Sequence, residues 1–120
     1  MSARNKARRS EIAKAIRAKA QELYAYPESW CQREMAKDKD GNQVNVYDPK
    51  ATQRCALGHL ALLPMDTRNP AIIATIAALP LGKSIPAYND SVSVEKIVDL
   101  FNKAADIVEE GKIDVGPLWG

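Results

Sequence analysis

Cys55 and His59 are one of two cysteines and the only histidine in a chain of 120 residues. They are four positions apart, just over one helical turn, so on a helix they share a face. A cysteine nucleophile needs a lowered pKa and a base within hydrogen-bond reach. The spacing offers the base. It does not offer facing elements, because side chains at i and i+4 point the same way. The competing reading is a small buried thiol beside a hydrogen-bonded imidazole. Cys31, Cys55 and His59 also contain the start of a zinc set, but no Cys-x2-Cys pair is present and structural zinc takes four ligands. Asp38, Asp40 and Asn42 resemble the opening of a calcium loop. That loop needs glycine sixth and glutamate twelfth, where this chain has Gln43 and Pro49. No metal and no cofactor is expected. No glycine-rich phosphate loop and no nucleophile elbow occurs.

A second chemical spot is Tyr88-Asn89-Asp90. Asp90 or Ser91 can simply cap a following helix. Alternatively Tyr88, Asn89 and Asp90 line a cleft with Trp30, Cys55 and His59 and bind a small polar ligand. Trp30 and Trp119 read as core or interface anchors before base-stacking platforms. A third spot is electrostatic. Residues 1–20 hold seven basic side chains against Glu11, and residues 90–120 hold seven acidic against three basic, although the formal charge is only +2. Arg8, Arg9, Lys14 and Arg17 are the candidate phosphate contacts of a nucleic-acid reading. A solvated helix face, or a protein partner, explains the same charges.

These residues need elements to position them. The size is that of one domain, with 46% hydrophobic and 27% charged residues, a globular balance. No apolar run reaches the ~18 residues of a membrane span, and no apolar segment follows the basic start as in a secretory signal. The expected setting is a reducing cytoplasm with free thiols, although a Cys31–Cys55 bridge is not excluded by sequence. Residues 1–9 lack an apolar stripe and read as a disordered basic arm, with a single globular domain over 10–120. From Ser10, Ile12, Ile16, Ala20 and Leu23 recur at helical spacing up to Pro27. Asp40-Gly41 predicts the turn of a hairpin pairing residues 31–36 with 43–47. Asp48-Pro49 predicts the start of a second, central and buried helix, ending near Leu63. Asn69-Pro70 predicts a third, over Ala71–Leu79, largely buried because it carries no charge. Residues 80–92 read as an irregular connection of the kind that is often functional. Val94, Ile97, Val98, Phe101, Ala104, Ala105 and Val108 predict the last helix, stopped at Gly111. In the tail, Ile113, Val115, Leu118 and Trp119 either pack back or bridge two copies. The expected fold is mainly α, about four helices around the central one, with one short β-hairpin.

The order Trp30, Asp40-Gly41, Asp48-Pro49, Cys55-Ala56-Leu57-Gly58 and Asn89-Asp90 resembles a family of small uncharacterised proteins of bacteriophages and actinobacterial genomes, over about residues 10–108. The resemblance implies a phage setting and supplies no activity. In that pattern alanine follows the glycine where this chain has His59, which weighs against a shared Cys–His chemistry. The expected function is a non-enzymatic phage-type accessory protein that binds a host protein, as monomer or homodimer and away from membranes. A nucleic-acid or nucleotide-binding module using the basic helix is one alternative. A cysteine-dependent enzyme centred on Cys55 is the other. The sequence does not decide whether the chain is an enzyme, and its signals weigh against it.

Overall fold

The computed structural model describes residues 3–114. Two amphipathic helices dominate it. Helix α1 spans Ala3–Ala25 and buries Ile12, Ala13, Ile16, Ala20 and Leu23. Its partner is the last helix, Val94–Glu109, which buries Ile97, Leu100, Phe101, Ala104, Ala105 and Val108. The two run antiparallel, so that Arg17 meets Asp106 at 2.7 Å and Glu109 at 3.0 Å. Alanines at the crossing let the axes approach. Gly111 ends the last helix at φ 72°, with Lys112 N–H donating to Ile107 and Gly111 N–H to Val108. This is a left-handed stop that glycine takes without a Cβ penalty. Ile113 then turns back onto the core. Val115, Leu118 and Trp119 lie outside the described residues.

The expected disordered arm over residues 1–9 fails from Ala3 onward, where α1 already runs. Alanine, arginine and lysine are good helix formers, and this turn is also anchored. Arg8 donates through Nη2 to the carbonyl of Asp66 at 2.9 Å.

Between the two long helices the chain forms a short sheet and three more helices. Strand β1, Ala36–Asp38, pairs antiparallel with β2, Ala51–Arg54, in the register Ala36–Arg54, Lys37–Gln53 and Asp38–Ala51. Gly41 makes the turn at φ 84°, and Asp38 Oδ1 accepts the N–H groups of Asp40 and Asn42. The expected turn at Asp40-Gly41 and a short hairpin both form, but the paired strands are not 31–36 and 43–47: only Ala36 of the first range lies in β1, and the second strand is 51–54. The segment 43–47 only touches β1, through Val44 N–H to the Ala36 carbonyl and a single Lys37–Gln43 bridge. Asp48-Pro49 does not start a helix either. Asp48 Oδ1 accepts the N–H of Lys50, an Asx turn that feeds β2.

The second helix, α2, is only Ala56–Ala61. Buried though it is, it does not organise the fold. The α1–α5 pair does, where α5 denotes Val94–Glu109. Helix α3 spans Met65–Ala78 and buries Pro70, Ala71, Ala74, Thr75 and Ala78. It starts a turn earlier than Asn69-Pro70 suggested, and it is not largely buried. Its alanine face meets the core while Ile73 and Ile76 are half exposed. Absence of charge does not specify which side packs. Helix α4, Ile85–Asn89, stands inside the expected irregular connection, with Ser84 Oγ accepting the Ala87 N–H as its cap. The described residues thus hold five α-helices and one two-stranded hairpin, a mainly α fold as expected.

Candidate functional site

Asn89 is fully buried at the end of α4, and every polar atom of its amide is used. Its Oδ1 accepts the indole N–H of Trp30 at 2.6 Å and the backbone N–H of Ala56 at 2.9 Å. Its Nδ2 donates to the Cys31 carbonyl at 3.0 Å and to Asp90 Oδ1 at 3.3 Å. Its own carbonyl accepts from Gln32 Nε2 at 3.1 Å. One side chain therefore joins the 30–32 segment, the first turn of α2 and the end of α4. An amide so saturated has no atom left for a ligand.

Beside it lies a small cavity of about 110 Å³, with Arg33, Cys55, Leu57, Pro86, Asn89 and Asp90 among its lining residues. Asp90 Oδ1 accepts the Arg33 N–H at 2.7 Å, and Arg33 sits at φ 75°. That is an unusual conformation for a side chain with a Cβ, held by the carboxylate. Of Trp30, Cys55, His59, Tyr88, Asn89 and Asp90, expected around one cleft, Cys55, Asn89 and Asp90 line this cavity and Trp30 is bonded to Asn89. Tyr88 lies outside the cavity lining and packs half-buried on the core.

Cys55 is the N-cap of α2, and its Sγ accepts the Gly58 N–H at 3.4 Å. Burial pushes its thiol up, against the lowering effect of the Gly58 and Leu57 N–H groups. Burial pushes Cys31 up to about 11, assisted by the nearness of the second ionisable thiol, Cys55. Both thiols are free and neutral at physiological pH. Gly58 is needed here because a Cβ would come within 2.5 Å of the Met35 carbonyl oxygen.

His59 turns away to a different contact. Its Nε2 lies 3.0 Å from the Ser29 carbonyl, so Nε2 carries the proton and donates. Nδ1 is buried without a partner. Burial lowers its pKa, with Lys19 and Arg54 acting the same way, while the Ser29 carbonyl and Glu22 oppose. The helix begins at Ala56, so Cys55 belongs to the cap, and its Sγ and the His59 ring take separate partners. Among the described residues no group of three or more His, Cys, Asp or Glu side chains is placed to hold a metal. No described helix is long and apolar enough to cross a membrane.

The four candidate phosphate contacts do not share a face. At about 100° per residue, Arg8, Arg9, Lys14 and Arg17 point around most of the circumference of α1. Arg17 is held by Asp106 and Glu109, whose hydrogen bonds raise its pKa. Arg8 is spent on Asp66. Arg9 is half-buried and only Lys14 is exposed.

A larger concavity than the one beside Asn89 lies elsewhere, at residues that the sequence does not single out. A cleft of about 540 Å³ opens between the C-terminal half of α1 and the N-terminal half of α5. Leu23 and Val98 supply apolar lining, joined by the exposed Tyr24, Glu95 and Asp99. Its own N–H and the Ser93 hydroxyl keep Glu95 below the usual carboxylate range. The ion pairs of the described residues involve neither Glu95 nor Asp99. The available signal was the Glu95 and Asp99 pair at i, i+4 beside Val94 and Val98. Protein-family models, curated proteins and solved structures were compared with this chain, and none matches it.

Proposed function

We propose that this chain is a non-enzymatic binding protein that takes a helical segment of another protein in the cleft between α1 and α5. The observation that carries this reading is the cleft itself, open and lined by Leu23, Val94 and Val98 together with the exposed Glu95 and Asp99. Apolar stripes on amphipathic helices dock into such grooves, and the exposed carboxylates of Glu95 and Asp99 favour basic residues flanking that stripe. In the phage setting implied by the resemblance, the partner is a protein of the bacterial host. The alternatives lack a comparable observation. The basic residues of α1 are dispersed or occupied, and the Cys55 thiol is neutral with no imidazole aimed at it.

The test uses a fluorescent amphipathic helical peptide with leucines along one stripe and lysines beside it, and a version with glutamates for the lysines. The lysine peptide binds, binding weakens as salt rises, and Val98→Arg or Asp99→Lys abolishes it. No binding of the lysine peptide, equal binding of the glutamate peptide, or indifference to both substitutions overturns the proposal.

A further inference from the structure

Helix α3 carries a second surface, independent of the cleft. Asp66, Asn69, Ile73, Ile76 and Ala77 recur at helical spacing and are all exposed. Pro80 and Leu81, also exposed, follow just past the helix end. Ile73 and Ile76 are 51% and 53% exposed and Leu81 is wholly so. No charged residue occurs between Arg68 and Lys83. Two isoleucines on one side of the helix, with a leucine close behind its end, make an apolar face rather than the scattered exposure that is normal for a surface.

We infer that this face of α3 binds the same face of a second copy of the chain, as an antiparallel helix pair about a two-fold axis. Three observations select a second copy. A two-fold contact brings each central residue close to its own counterpart, so any charge at the centre would meet a like charge. The centre here has none. The ends carry opposite charges, Asp66 at the start of the strip and Lys83 just past its finish, both exposed. In an antiparallel pairing the start of one strip meets the finish of the other, so Asp66 and Lys83 stand at the same end of the contact. Finally, the helix has 14 residues and is about 21 Å long. Two such faces with their flanks cover on the order of 1,200 Å² together, the lower bound of a specific interface. The dimer is therefore weak and reversible.

Sedimentation velocity on the full chain, from roughly 1 µM to 1 mM, reads this directly. The average mass rises with concentration from the 13.2 kDa monomer toward twice that value. Ile73→Lys holds the protein monomeric throughout, with far-UV circular dichroism confirming that it is folded. Asp66→Lys, at an exposed position that leaves the core untouched, weakens association at least about threefold. Adding Lys83→Asp to that variant restores it. A monomer at every concentration, a dimer that survives Ile73→Lys, or a charge swap that fails to restore association overturns the inference. In the first case the face serves a different chain.

Discussion

The indole N–H of Trp30 and the side-chain oxygen of Asn89 are 2.6 Å apart, although 59 residues separate them in sequence. The same oxygen takes the N–H of Ala56, so one acceptor fixes both the segment leaving α1 and the first turn of α2. Both its lone pairs are filled at a buried position, where an unmade hydrogen bond is expensive.

Asn89→Ala leaves the Trp30 N–H, the Ala56 N–H and the Cys31 carbonyl without their partner. The expected loss is about 3–5 kcal/mol, from roughly 1–3 kcal/mol for each buried group with partial relaxation. Trp30→Phe removes one donor only and costs about 1–2 kcal/mol. Urea unfolding curves of the two variants check the order. Equal losses would show that the amide acts through the indole alone.

At Cys55 the N-cap role makes a hydroxyl a fit replacement. Cys55→Ser keeps an acceptor for the Gly58 N–H and is expected within about 0.5 kcal/mol of the parent, whereas Cys55→Ala loses about 1 kcal/mol. Because burial raises both thiols, native-state alkylation at neutral pH should proceed only as fast as the protein opens. Burst modification of Cys55 would instead revive a reactive-cysteine reading.

His59 gives the pH dependence. Its folded pKa lies below the ordinary 6.5 because the ring is buried. The unfolded chain therefore takes up the proton first as pH falls. Its contribution is intact above about pH 6.5 and is lost progressively below it, down to the folded pKa. His59→Gln keeps a donor for the Ser29 carbonyl and cannot titrate. Thermal melts at pH 7.5 and pH 5 should show a smaller acid-induced drop in the variant than in the parent. An unchanged drop would place the sensitivity in other groups.

Pro70 lacks the N–H that would bond the Asp66 carbonyl four residues back, and Arg8 supplies a donor there. Pro70→Ala returns the backbone donor, so Arg8→Ala should cost less in that background. The expected coupling in a double-mutant cycle is about 0.5–1 kcal/mol. Strict additivity would mean that Arg8 stabilises the helix contact by other means.

The two long helices were legible because their apolar stripes repeat at the helical period over several turns. Asn89 was legible as a place but not as a role, since its partners lie on segments whose approach no local pattern encodes. Asp48-Pro49 misled because an Asx turn and a helix N-cap begin alike. What decided between them was the pairing of β2 with β1, which is set across a gap of a dozen residues. The error propagated. With the helix shifted to Ala56, Cys55 moved from its face to its cap, and its Sγ and the His59 ring take separate partners. The cleft stayed hidden because its walls come from opposite ends of the chain. Burial of α3 was misjudged because a run of alanine and isoleucine says that one side packs, not which one.

The pairing of α1 with α5 also has a consequence in time. A ribosome delivers α1 well before its partner, since Arg17 and Glu109 are 92 residues apart. At about 5–20 residues per second, the stripe of Ile12, Ile16 and Leu23 is bare for roughly 5–20 seconds before Ile97, Phe101 and Val108 can cover it. Throughout that interval the nascent chain presents a greasy, positively charged helix to anything nearby, and chaperones that favour such segments have their window before the protein closes.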